Sequence, residues 1–143
     1  MIRTMTIADY DAVYALWAAT PGLGLHTTED SREGVAYYLQ RNPNTCFVAV
    51  EQEKIIGTVL CGNDGRRGHI NHMAVQPAHQ RKGVAQALFA ACIAALRVEG
   101  IQKCGLFTFR DNKPGNAFWA AMGCTVRDDL AYKDISITKG ATA

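Results

Sequence analysis

The stretch Met73-Ala-Val-Gln-Pro-Ala-His-Gln-Arg-Lys-Gly-Val-Ala85 decides how this chain is interpreted. Its first residues are typical of a strand, Pro77 marks a short loop, and Gly83 between small residues marks the start of a helix. The first amides of a helix have no partner inside it, and the helix dipole adds about half a positive charge there. We therefore expect main-chain donors to hold an anion at Gly83, where no side chain blocks its approach.

Two familiar nucleotide-binding loops do not explain this stretch. The chain contains no GxxxxGK[ST] motif and no GxGxxG motif. A lone glycine at a helix start has a simpler interpretation, in which Gly83 only begins the helix and Arg81 and Lys82 are solvated. The choice between these interpretations depends on the rest of the chain.

Outward from the loop, hydrophobic spacing and turn residues predict alternating strands and helices. Thr6 and Asp9 form a capping-box pattern before the first helix. In chain order we predict a strand at Met1–Thr6, a helix through Trp17, a helix at Asp30–Arg41, strands at Thr45–Val50, Lys54–Cys61 and His69–Val75, a helix at Lys82–Glu99, a strand at Gln102–Phe109, a helix at Pro114–Met122, and strands at Cys124–Val126 and Leu130–Ile137. The prediction is an α/β (α+β) fold: one domain over residues 1–143, with a mixed, mostly antiparallel sheet of about seven strands and helices on both faces.

Composition excludes several classes of protein. The 143 residues are 48% hydrophobic and 20% charged with a net charge of +2, and no basic run suggests nucleic acid. No segment predicts a signal peptide or a membrane span. Five cysteines, an odd number without CxxC or zinc-ligand spacing, indicate a reducing compartment and no metal. We expect a cytoplasmic protein that binds neither nucleic acid nor membrane.

Gln80-Arg81-Lys82-Gly83-Val84-Ala85 resembles the [RQ]-x-x-G-x-[GA] signature of the GNAT superfamily of N-acetyltransferases. The resemblance covers nearly the whole chain, and the turn Asp64–Gly68 is similar to that of small bacterial members of the kind called YpeA. Further matching segments are Ile2-Arg3, Asp9–Trp17, Ile56-Gly57-Thr58-Val59 and Asn112…Phe118-Trp119…Met122-Gly123.

The resemblance implies acetyl-CoA as cosubstrate, bound where the strand before the loop splays from the strand after the long helix. The strand end Met73, Ala74 and Val75 then lies along the pantetheine arm, with the main-chain groups of Met73 and Val75 pairing with its amides. The backbone donors implied for the pyrophosphate are those of Arg81, Lys82, Gly83, Val84 and Ala85. Asn112 has two interpretations, as a neighbour of the pantetheine arm or as a helix cap.

The same resemblance suggests catalytic residues. The N–H of Met73 is implied to stabilise the thioester oxygen. His69 stands four positions earlier, where several members carry a glutamate, and it serves either as general base or as the first residue of a surface strand. Alternation along the strand puts His69, Asn71 and Met73 on one face and His72 on the other unless a bulge intervenes, so we interpret His72 as structural.

Trp119 departs from the family pattern. It lies seven positions after Asn112, where the family usually has a tyrosine that protonates the leaving thiolate. An indole N–H donates a hydrogen bond but does not titrate in water. We therefore expect Trp119 to pack with Phe118 under the C-terminal strands, and Tyr132 is a weaker candidate for the missing acid.

The predicted function is transfer of an acetyl group from acetyl-CoA to a primary amine of a small molecule, peptide or protein by direct attack in a ternary complex. The alternative is a catalytically silent acyl-CoA-binding sensor module. Asp128 and Asp129 are a slight indication of a cationic acceptor. The sequence leaves the identity of the acceptor open, and also whether the protein forms a homodimer.

Overall fold

The computed structural model describes residues 1–138. Single turns of 3-10 helix at Ile7–Asp9 and Pro77–His79 precede α1 and α3. The helices and strands in chain order are β1 (Ile2–Thr4), α1 (Tyr10–Ala18), α2 (Arg32–Arg41), β2 (Phe47–Glu51), β3 (Lys54–Asn63), β4 (Gly68–Val75), α3 (Val84–Val98), β5 (Cys104–Leu106) and α4 (Lys113–Ala121).

The helix starts follow from local capping. The predicted capping box is present, and the amide of Thr6 donates to the carboxylate of Asp9 at 2.9 Å. Helix α2 begins two residues later than predicted, because Ser31 rather than Asp30 caps it. The Ser31 hydroxyl accepts a hydrogen bond from the amide of Gly34 at 3.0 Å.

Within residues 1–138 the sheet has five strands in the order β1-β2-β3-β4-β5. The first four pair antiparallel with their neighbours, and β5 pairs parallel with β4. The prediction of a mixed, mostly antiparallel sheet is confirmed. The βαβ unit formed by β4, α3 and β5 supplies the parallel pair.

The prediction of about seven strands is wrong for the described residues. Cys124–Val126 and Leu130–Ile137 form no strand, and β5 is shorter than the predicted Gln102–Phe109. The side chains of Ile135 and Ile137 are 86% and 95% exposed, so no packed surface supports a strand there. Strand preference depends on such packing, and a β-rich pattern without it does not form a ladder.

The two faces of the sheet carry separate apolar clusters. Helices α1 and α2 cover one face, where Trp17 is 1% exposed and Val35 is equally buried. Helix α3 covers the other face with Leu88 and Cys92, both fully buried, and α4 adds Trp119 at the margin. The predicted helices on both faces are therefore confirmed. No helix in the described part of the chain is long and apolar enough to span a bilayer.

A β-bulge in β4 changes which side chains face each helix layer. Between the pairs Thr58–Ala74 and Leu60–Asn71, the residues His72 and Met73 both stand opposite Val59. His72 has a backbone φ of +49°, which is uncommon for a residue other than glycine. The bulge keeps His72 on the α1–α2 face and turns Met73 toward α3.

Strands β4 and β5 separate after a short paired region. Their parallel pairing runs from Gly68–Cys104 to Ile70–Leu106 and ends there. Beyond that point β4 continues to Val75, while residues 107–109 are not part of a strand. The splay that the family resemblance implies is therefore present.

Candidate active site

The start of α3 has the backbone that the sequence predicts. Gly83 has a φ of +85°, in the left-handed region that favours glycine, and a Cβ there would meet no atom within 4 Å. Arg81 also has a positive φ of 61°. The loop thus turns sharply into the helix and leaves the space beside Gly83 open.

The amides at this helix start have no partner in the protein. The first donation at the start of α3 is from the amide of Ala87 to the carbonyl of Gly83, at 3.0 Å. Among the described residues, the amides from Arg81 to Gln86 donate to no protein acceptor. Six unpaired donors beside a helix dipole form a site suited to an anion with several oxygens.

The end of β4 offers further main-chain groups to the opening beside β5. The amide of Gln76 donates to the carbonyl of Ile56, so alternation directs the amide and carbonyl of Val75 away from β3. The side-chain amide of Gln80 already donates to the Val75 carbonyl at 3.1 Å. The Val75 N–H therefore remains as the main-chain donor at this point.

A cavity of about 1240 Å³ lies between residues 19–31 that join α1 to α2 (the α1–α2 segment), β4 and the region after β5. Four carboxylates belong to its lining, and none of its described lining residues is a lysine or an arginine. Those carboxylates are Glu29, Asp30, Glu33 and Asp134. The cavity also includes the predicted site residues His69, Met73, Asn112 and Trp119, together with Tyr132.

His69 lies in this cavity with its ring 5.1 Å from that of Phe107. Burial lowers the pKa of His69, and the neighbouring Asn71 side chain opposes part of that effect. The imidazole is therefore neutral at pH 7 and able to accept a proton, although a lowered pKa makes it a weaker base.

His72 also lines the cavity, contrary to the simple alternation of the strand. The bulge places it with His69 and Asn71, and its Nε2 lies 2.8 Å from Oδ1 of Asp30. The sequence interpretation of His72 as a residue on the opposite face is wrong for this reason. The sequence does place two histidines close together on β4, but no residue pattern in a single sequence marks a β-bulge clearly.

The sequence profile described as Acetyltransferase (GNAT) family matches residues 10–124. The chain belongs to this family. An acetyltransferase of Pectobacterium atrosepticum is 30% identical over 111 residues, which are 78% of this chain and 77% of that protein.

Solved GNAT structures share the fold. Ard1 from Thermoplasma volcanium has a TM-score of 0.79 at 18% identity and covers 89% of this chain and 83% of its own. The PaiA N-acetyltransferase of Thermoplasma acidophilum, solved in complex with coenzyme A, has a TM-score of 0.78 at 18% identity. That match covers 99% of this chain and 93% of that one.

Asn112 and Trp119 of this GNAT chain have clear structural roles. Oδ1 of Asn112 accepts a hydrogen bond from the amide of Gly115 at 3.1 Å and so caps α4. The ring of Trp119 lies 4.8 Å from that of Phe118 and 5.7 Å from that of Phe89 on α3. The expected pair with Phe118 is present, but helix α3 rather than a C-terminal strand completes the packing.

The two acidic residues singled out from the sequence lie outside the cavity lining. Asp129 pairs with Arg127 at 2.9 Å, and Asp128 is exposed. The ring of Tyr132 stacks 4.6 Å from that of Phe107 at the cavity edge. No group of three or more metal-ligating side chains is gathered within residues 1–138.

Proposed function

We propose that this GNAT protein transfers an acetyl group from acetyl-CoA to a primary amine by direct attack within a ternary complex. The observation that carries the proposal is the row of unpaired amides from Arg81 to Gln86 beside the open backbone of Gly83. Such donors match the charge and geometry of a pyrophosphate. The coenzyme A in the Thermoplasma acidophilum neighbour supports the same donor.

The donor site then combines these amides with the opening between β4 and β5. Main-chain groups of Met73, Ala74 and Val75 border the pantetheine arm, with the Val75 N–H as a donor. Asn112 lies on the other side of the cavity, where its cap leaves the rest of its amide group for the same arm. The guanidinium of Arg81 and the ammonium of Lys82 add positive charge to the phosphate end.

The lining of the cavity supports a cationic amine as acceptor. Its four carboxylates are not balanced by any lysine or arginine in the described lining. Their combined negative potential attracts a protonated amine and disfavours an acceptor that carries a free carboxylate.

The chemistry requires proton removal, stabilisation of oxygen charge and release of a thiolate. The Met73 N–H is proposed to stabilise the negative charge on the thioester oxygen. The base is one of the two cavity histidines of β4, with His69 the candidate expected from the sequence. Trp119 contributes packing and a hydrogen-bond donor, and no acid is needed because a thiol of pKa about 8.5 leaves readily as its anion.

A turnover assay tests the proposal. Purified protein is mixed with acetyl-CoA and a panel of primary amines, and thiol release is compared with the mass of the product. We expect one N-acetylated amine for each thiol released, and no reaction with the matched trimethylated amines, which have no N–H to lose. Binding of acetyl-CoA without amine-dependent thiol release across the panel would instead indicate a sensor module.

We also propose a cytoplasmic location. All five cysteines lie in the described region and are unpaired, and Cys46, Cys61 and Cys92 are buried. Free thiols are typical of a reducing compartment.

A further inference from the structure

The backbone of His72 is held in a conformation that histidine seldom adopts. Its φ of +49° lies within the β4 bulge, where two residues face one residue of β3. A non-glycine residue at positive φ is strained and persists only when its surroundings require it. The contacts that hold His72 in this conformation therefore indicate the role of the bulge.

Asp30 is the strongest of these contacts. Its carboxylate is 5% exposed, its Oδ1 lies 2.8 Å from Nε2 of His72, and its Oδ2 accepts the amide of His26 at 2.7 Å. Burial acts to raise the pKa of Asp30, but the hydrogen bonds from His72 and His26 outweigh it, so the net pKa is lowered. Asp30 is thus an ionised carboxylate at pH 7.

An ionised carboxylate only accepts hydrogen bonds, and this fixes the arrangement of the His72 ring. Nε2 carries the hydrogen that Asp30 accepts, so Nδ1 is the ring nitrogen left to accept a proton. Nδ1 has no hydrogen-bond partner among residues 1–138 and is not fully buried. The rings of Trp17 and His72 pack edge to face with their centroids 5.0 Å apart, which restricts rotation of the imidazole.

We propose that His72 is the catalytic base of the transfer reaction and that Asp30 is its positioning residue. This inference rests on the proposed acetyltransferase function. It differs from the sequence-based choice of His69, whose ring has no carboxylate partner in the described structure and whose pKa burial lowers.

The acceptor ammonium loses two protons in the reaction. Nδ1 of His72 takes one proton from the acceptor ammonium, and the Asp30 carboxylate neutralises the resulting imidazolium. The amine nitrogen then bonds to the thioester carbonyl carbon, and the carbon–sulfur bond breaks with its electron pair on sulfur. The second proton lost by the nitrogen goes to the thiolate, and His72 returns the first proton to solvent.

Other titratable groups share this environment and must be separated from His72 in any pH measurement. They are Asp30 and His26 of the α1–α2 segment, Tyr10 of α1, Tyr38 of α2, and His69 of β4. The hydroxyl of Tyr10 donates to the Asp30 carbonyl at 2.6 Å and so fixes the same segment. Burial raises the pKa of Tyr38, which keeps its phenol neutral near pH 7.

A structural role is the competing explanation, because the same pair ties the α1–α2 segment to β4. His72→Gln separates the two roles, since its amide nitrogen reaches Asp30 as Nε2 does but accepts no proton. His72→Asn is a second variant, because asparagine tolerates positive φ well. His69→Gln on the same strand tests the competing assignment of the base.

The measurements are kcat against pH at saturating acceptor, the Kd for acetyl-CoA and the midpoint of thermal unfolding. We expect both His72 variants to bind acetyl-CoA normally, to lose about 10²–10⁴-fold in kcat at pH 7, and to lose the acidic limb of the profile. Loss of that limb in His69→Gln, with the limb kept in the His72 variants, would assign the base to His69 instead. A folded His72→Gln or His72→Asn protein with wild-type kcat and the same limb would overturn the proposal.

Asp30→Asn tests the positioning role. The neutral amide gives no charge to stabilise the imidazolium, so we expect at least a tenfold loss in kcat with unchanged affinity for acetyl-CoA, and an acidic limb moved to lower pH. If the His72–Asp30 contact had only a structural role, its loss would not shift the acidic limb of the pH profile. Absence of turnover in the wild-type protein would contradict the proposed function itself. Failure of the His72 assignment alone would leave the wild-type protein active.

Discussion

The guanidinium of Arg3 donates two hydrogen bonds to the carboxylate of Asp9, from Nη1 to Oδ2 at 2.9 Å and from Nη2 to Oδ1 at 2.8 Å. The hydrogen bond from Arg3 lowers the pKa of Asp9, burial partly opposes it, and the amide of Thr6 lowers it further. One carboxylate thus joins β1 to the turn that begins α1.

Asp9→Asn is expected to lower the free energy of unfolding at pH 7 by about 1–2 kcal/mol, because a charged, paired acceptor becomes neutral. The folded pKa of Asp9 lies below its unfolded value near 3.9. Its stabilisation is therefore complete above that value and is lost as pH falls through the folded pKa. Urea unfolding at pH 7 and pH 3 checks this.

The control for that prediction is Asp11→Asn. The Asp11 side chain is 92% exposed and lies 3.5 Å from Arg32, so its loss is expected to cost less than about 0.5 kcal/mol. Equal destabilisation by the two variants, or an Asp9→Asn effect as large at pH 3 as at pH 7, contradicts the assigned role of the Arg3–Asp9 pair.

Gly83→Glu is expected to abolish binding of acetyl-CoA while the protein remains folded. The carboxylate occupies the space beside the free amides and repels the pyrophosphate. Gly100→Glu is the matched control, because Gly100 follows the other end of α3, has a φ of +81° and also has no neighbour for a Cβ within 4 Å. Titration calorimetry on both variants separates backbone strain from loss of the site, and equal affinity in wild type and Gly83→Glu refutes the proposed donor site.

Trp119→Tyr is expected to keep or raise the rate, since a phenol supplies a proton that indole does not. Trp119→Ala is expected to lose about 2–3 kcal/mol of stability, because its contacts with Phe89 and Phe118 are removed. Activity and thermal unfolding are measured together. A Trp119→Phe protein that is folded and binds acetyl-CoA but is inactive would show that the indole N–H acts directly in catalysis.

The acidic lining predicts a preference for acceptors with several positive charges. Glu29→Gln combined with Glu33→Gln is expected to raise KM for a triamine by about 3–10-fold at low salt, and less at high salt because ions screen exposed charges. Glu53→Gln, on the exposed turn between β2 and β3, is the control. Steady-state kinetics with an amine series checks the preference, and a KM unaffected by the double substitution argues against it.

Sequence patterns predicted well the elements whose signals are local. The capping box at Thr6, the left-handed glycine before α3 and the three meander strands depend on neighbouring residues, and each was located to within a few positions. The C-terminal strands were not, because Leu130–Ile137 has a strand-like composition but no covering layer in the described structure. Strand formation there depends on distant packing, which composition does not record.

In the candidate site too, features set by neighbouring residues were predicted and a long-range contact was not. The left-handed start of α3 and its free amides follow from Gly83 and the residues beside it, so the sequence was sufficient to locate them, and anion binding there stays a prediction. The His72–Asp30 contact joins residues 42 positions apart through a bulge. Alternation alone predicted the wrong face for His72, because one extra residue in β4 reverses the inward and outward sides beyond it.

The divergence of β4 from β5 leaves the edge of β4 beyond Ile70 without a neighbouring strand in the described structure. In the proposed donor site, a pantetheine arm that pairs with the Val75 N–H takes the place of a missing strand, so its binding is a form of strand addition. A ligand bound only by the folded state adds RT ln(1 + [L]/Kd) to its stability, about 2.7 kcal/mol at a hundredfold excess over Kd. We therefore expect the resistance of this protein to unfolding and proteolysis to rise and fall with the concentration of acetyl-CoA, and hydrogen exchange at the end of β4 to follow the same change.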